Sequence, residues 1–158
     1  MATVIAIPVP QDSLLAGFGD ADDYRDCFYR DAPGTVSLSH FIEQFYCSAA
    51  FIPERIILKL IAGPSSRRDA AAFAHGKADS FGVWKVVERQ GNQALFHSRD
   101  TNTASWFAVE PREGATRLLF GSWVGGIDQS GWKSLLQAHV WYSRVLLGGV
   151  KLSAKSGS

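Results

Sequence analysis

Few side chains in this chain of 158 residues are placed to do chemistry. The four histidines, His40, His75, His97 and His139, share no ligand spacing, so no metal site and no cofactor are expected. Cys27 and Cys47 have no base beside them, which argues against a cysteine nucleophile. Ser122 stands in Gly121-Ser122-Trp123, which is not a nucleophile elbow, and Gly125-Gly126 lacks the pattern and the lysine of a phosphate loop. Two candidates remain. His139 falls in the apolar stripe of a C-terminal helical pattern, near Leu135, Leu136 and Ser143, where an imidazole would serve as general acid/base or orient a ligand. Asp26 lies between Tyr24 and Phe28 on a strand-like segment; if buried, its carboxyl needs an Arg or His⁺ partner to stay charged. The plainer role takes precedence for both: a buried histidine bonded to a strand or to Asp26 for His139, and structural ion pairing for Asp26.

The elements that would position these groups follow from periodicity. Residues 1–22 read as a leading arm rich in Pro, Gly and Asp. Asp23–Arg30 alternates with period two, turning Tyr24, Asp26 and Phe28 one way, and Pro33-Gly34 ends it. Ser37 or Ser39 can cap a helix through Phe41, Ile42, Phe45 and Tyr46, and Pro53 opens a second short one ending at Gly63-Pro64. Residues 65–80 read mainly as a connection. Four strand-like runs then follow, Phe81–Arg89, Ala94–Arg99, Ser105–Glu110 and Thr116–Val124, joined by turns short enough to imply an antiparallel meander. From Ser130, apolar residues recur every three or four positions to Val150, which predicts a long C-terminal helix, and 153–158 is a polar tail. Burying the helix stripe against one sheet face gives an α+β fold over 23–152, a curved antiparallel sheet gripping the C-terminal helix, with a cavity where the two do not close.

Composition narrows the function classes. A net charge of +1 argues against nucleic acid as a partner. The N-terminus lacks a basic signal-peptide opening and no segment is apolar enough to span a membrane, so a cytoplasmic location is expected. Five tryptophans and ten phenylalanines suit a large core or the lining of an apolar pocket.

The Asp23-Tyr24-x-Asp26-x-Phe28 strand, the Phe81-Gly82-Val83-Trp84 strand and the His139-x-Trp141 pair occur in this order. Together with the element order, they resemble a family of bacterial proteins carried as a domain of unknown function, the DUF2867 family, placed with the Bet v 1-like, or START-like, helix-grip folds. Ser105-Trp106 stands where that family commonly has an Asp-Phe pair. The resemblance implies a cavity for an apolar ligand. The expected site then comprises Tyr24, Phe28, Trp84, Trp106, Leu136, His139 and Ser143, with His139 and Asp26 as an acid/base pair if the scaffold is a cyclase- or hydrolase-type enzyme. A ligand-free interaction protein is the third possibility. Trp141 points away from His139 on a regular helix, beside Val145; it is a lone surface aromatic, or is covered by the leading arm or by a second copy, and of these a homodimer through that face is the favoured expectation.

Overall fold

The computed structural model describes residues 3–47, 67–81, 84–99 and 102–125, together with Arg144, Leu147 and Gly148. In chain order these give β1 (Ile5–Ala6), β2 (Tyr24–Pro33), α1 (Leu38–Cys47), α2 (Arg67–Ala74), β3 (Ser80–Phe81), β4 (Trp84–Arg89), β5 (Gln93–Ser98), β6 (Thr103–Arg112) and β7 (Ala115–Val124). All seven strands form one sheet in the order β1-β2-β7-β6-β5-β4-β3, and every pairing is antiparallel. The expected meander is present, because its turns are too short for any other pairing. Gly114, with φ of 67°, turns β6 into β7, and Asn102, with φ of 52°, stands between β5 and β6. Ser37 caps α1: its hydroxyl accepts the His40 amide at 3.1 Å.

The pleat sorts side chains onto two faces, and both are covered. On the first, Phe28, Phe96, Phe107, Leu118 and Phe120 meet Phe41, Phe45 and Tyr46 of α1 and Phe73 of α2. The rings interlock at centroid distances of 4.3 Å (Phe73–Phe96), 4.7 Å (Phe45–Phe120) and 4.9 Å (Phe45–Phe107). On the second face, Cys27, Leu95, Ala104, Trp106, Ala108, Leu119 and Trp123 pack under Ile7, Val9, Leu14, Leu15 and Phe18 of the leading segment. The leading arm is therefore one layer of the core.

These contacts correct the expected architecture. The described residues are mostly a seven-stranded antiparallel sheet with two short helices, and no long C-terminal helix is present among them. A helix-grip arrangement is thus not what the chain shows. The physical reason lies on the first face, whose centre is filled by aromatic side chains of α1 and α2. Most of 130–150 lies outside the described residues. Of that stretch, Leu147 is buried in the first-face core, and Gly148 offers its carbonyl to Arg30 near the β2 side of the sheet.

Two local expectations also change. Phe81–Arg89 is not one strand but the β3–β4 pair, with Phe81 opposite Trp84. The connection assigned to 65–80 carries α2, because Phe73 and Ala74 gain full burial there. The second short helix expected at 53–61 lies outside the described residues.

Candidate functional site

The first face changes character along its strands. Beyond the aromatic centre, two rows of side chains run across β2, β7, β6, β5 and β4. One row is Asp26, Ser122, Ser105, Phe96 and Val86, fixed by the pairs Asp26↔Ser122, Ser122↔Ser105, Ser105↔Phe96 and Phe96↔Val86. The other is Tyr24, Val124, Thr103 and Ser98, through Tyr24↔Val124, Val124↔Thr103 and Thr103↔Ser98. Trp84 precedes the Lys85↔His97 pair by one residue and so stands beside Ser98 at the end of this row. Antiparallel register alone brings together these groups from five strands. No local motif encodes it.

The Asp26 carboxylate anchors the cluster. Its Oδ1 accepts the backbone amide of Ser122 at 3.0 Å and its Oδ2 accepts the Tyr24 hydroxyl at 2.9 Å. Burial, the Asp26 charge and that hydrogen bond, in this order, hold the Tyr24 phenol well above its usual range. Tyr24 is therefore a protonated donor at neutral pH and cannot act as a base. Both Asp26 oxygens are engaged in holding the strand and the phenol, a positioning role. Ser122 is only 2% exposed, and among the described residues its buried Oγ has no hydrogen-bond partner. The Trp84 Nε1 is likewise buried with no partner among the described residues. Buried polar groups are almost always satisfied, so two orphans on one end of one face are unusual.

The residues expected to line a site separate accordingly. Tyr24, Asp26, Phe28 and Trp84 share the first face. Trp106 does not: it belongs to the opposite core, where its Nε1 donates to Gln93 Oε1 at 2.9 Å. Strand alternation is the cause, since Trp106 neighbours the inward-facing Ser105 and Phe107. Leu136, His139, Ser143 and Trp141 lie outside the described residues, so an Asp26–His139 pair and a Trp141 interface are not among the described contacts. Sequence reasoning missed Ser122, set aside because no catalytic motif surrounds it; its period-two spacing from Leu118 and Phe120 was the available signal. His97 falls on the second face, edge-on to Phe18 at 5.1 Å, and burial and then Arg99 lower its pKa. Cys27 lies on that face too; burial, then Asp26 and Glu110, push its thiol up to about 12, which leaves it protonated and unreactive.

No helix among the described residues is long and apolar enough to cross a membrane. The chain matches no known protein-family profile, and it is detectably similar to no curated protein and to no solved structure.

Proposed function

We propose that this protein is a binding module for a small, largely apolar molecule, held at the polar end of the first sheet face. The observation that carries this is the buried, unpartnered Ser122 hydroxyl beside the Tyr24–Asp26 pair. A hydroxyl removed from water without a partner costs about 1–3 kcal/mol, a cost that a ligand's polar group would remove. The aromatic centre is already filled by α1 and α2, so the ligand belongs at the rows of Asp26 and Tyr24. Binding takes precedence over catalysis because Asp26 is committed to two donors and Tyr24 stays protonated.

The test is titration of the purified protein with an environment-sensitive apolar dye, alongside native mass spectrometry for a co-purified molecule. Saturable binding near one per chain is expected, lost in Ser122→Leu with the circular dichroism retained. Absence of both saturable dye binding and a co-purified mass defeats the proposal. Undiminished binding to a folded Ser122→Leu protein places the dye elsewhere and defeats it equally.

A further inference from the structure

The leading segment closes onto the sheet through a histidine. Phe18 lies edge-on to His97 at a centroid distance of 5.1 Å and edge-on to Trp123 at 4.8 Å, and the His97 and Trp123 rings are 5.8 Å apart. Each ring is within contact range of the other two, so together they seal the segment to the second face. Of the three, only His97 can take up a charge.

Strand register surrounds His97 with cations. Through Lys85↔His97, His97↔Ala104, Ala104↔Trp123 and Arg25↔Trp123, one row of the second face reads Lys85, His97, Ala104, Trp123 and Arg25. Arg99 follows two residues after His97 and acts on it electrostatically. In the adjoining row Cys27 keeps its proton, and Glu88 stands opposite Leu95 with its Oε1 accepting the Gln90 amide at 3.2 Å. The leading segment adds Asp20 and Asp22, both exposed, and Asp23. The Asp23 Oδ2 already accepts the Trp123 indole N–H at 3.0 Å and the Asp20 amide at 2.7 Å. None of the ion pairs among the described residues includes His97.

A proton on His97 beneath Phe18 is therefore cut off from water, faces Lys85 and Arg99, and has no carboxylate to pair with. With Phe18 lifted, water reaches the ring and the same proton is tolerated. Burial and then Arg99 accordingly lower the His97 pKa from its ordinary 6.5. The closed form binds the proton less readily than the open one, so closure is complete above 6.5 and weakens as pH falls from there through the lowered value. Arg25, which holds the carbonyls of Leu15, Phe18, Asp20 and Asp23, does not titrate in this range, so acid raises the open population without detaching the segment outright.

We propose that His97 is an acid-operated latch on the leading segment: neutral, it packs under Phe18 and keeps the second face covered; protonated, it works against Phe18 and uncovers Trp123. The latch acts on the face opposite the proposed ligand site and does not depend on that binding role.

Limited proteolysis tests it, because cleavage of a transiently open segment tracks its open population. Papain, which is active in mild acid and at neutrality, is applied to the full chain, and cuts are mapped by mass. Rates are normalised to a free peptide of residues 3–22, which removes the pH dependence of the protease itself. Between about pH 7.5 and about pH 5, normalised cleavage within 3–22 should rise at least about fivefold in the wild type. His97→Phe keeps a ring but cannot titrate, and its cleavage should not change with pH. Lys85→Glu places a carboxylate opposite His97, and should remove most of the rise. An arm equally protected at both pH values overturns the latch, and so does an equal rise in His97→Phe, which would assign the effect to another group. Cuts spread over the sheet in acid, with loss of circular dichroism, would mean global unfolding and overturn it as well. Should His97→Phe not fold, His97→Gln replaces it, and a rise undiminished in Lys85→Glu is then sufficient to reject the proposal.

Discussion

At the residue scale, the orphan hydroxyl of Ser122 sets function against stability. Replacing it with alanine removes a buried, unsatisfied group while leaving the backbone amide bonded to Asp26. We expect Ser122→Ala to raise the unfolding free energy by about 1 kcal/mol in urea titrations of ligand-free protein, while weakening ligand binding. Asp26 behaves oppositely. Asp26→Ala strands the Ser122 amide and the Tyr24 hydroxyl at once, and should cost about 3 kcal/mol by the same measurement. The neighbouring acid groups also shape alkaline stability. Cys27 is raised from 9.0 to about 12 and Tyr24 is raised above its ordinary value. As pH rises past 9.0 the unfolded chain releases the Cys27 proton while the native protein keeps it. The unfolded state then binds fewer protons, so stability is complete below that pH and falls as pH rises toward about 12. Urea midpoints measured between pH 7 and 11 should decline only in the upper part of this range (roughly the last two units), and Cys27→Ala should flatten much of the decline. A midpoint independent of pH would contradict the assignment.

At the element scale, the leading segment is held by one side chain more than by any strand pairing. β1 contributes only two paired residues. The Arg25 guanidinium, in contrast, donates to the carbonyls of Leu15, Phe18, Asp20 and Asp23. Leu15 fits where Gly121 leaves room: a Cβ there would lie 2.5 Å from Leu15 Cδ2 and 2.8 Å from the Asp26 carbonyl oxygen. Arg25→Met keeps the aliphatic stem and deletes the hook. It should lower stability by about 2 kcal/mol and make residues 3–22 the first site of limited proteolysis. Gly121→Ala should cost more than Leu15→Ala shields, because the Asp26 backbone cannot retreat as a flexible side chain can. A double-mutant cycle with Leu15→Ala separates the two contacts.

Across the whole molecule, the sheet is sandwiched between α1 with α2 on one face and the leading segment on the other. Removing residues 1–22 would expose Leu95, Trp106, Leu119 and Trp123 together, a contiguous apolar surface that a soluble chain rarely carries. The truncated protein is expected to aggregate or to lose its cooperative unfolding transition; a monomeric, cooperatively folding truncation would show that the second face does not need its cover. The sequence by itself determined the strand near 23–30 and the antiparallel succession of the later runs, because period-two alternation and short turns are local signals; it did not show β1, the break of 81–89 into β3 and β4, or the pairing of β2 with β7. A capped start of α1 at Ser37 or Ser39 and the shared direction of Tyr24, Asp26 and Phe28 were legible as local signals too, and the structure selects Ser37. Only the tertiary structure decided which layer covers which face. α2 looked like a connection because its alanines carry little periodic signal until Phe73 finds Phe96. The leading segment looked like a loop because its apolar residues, Ile7, Val9, Leu14, Leu15 and Phe18, follow no helical or strand period. Trp106 and Trp84 appeared equivalent along the chain, yet the pleat places them in opposite cores. The site has the same origin: Ser122, Asp26 and Trp84 are far apart in sequence and come to share one face through antiparallel register, which is a property of pairing strands and not of any one of them.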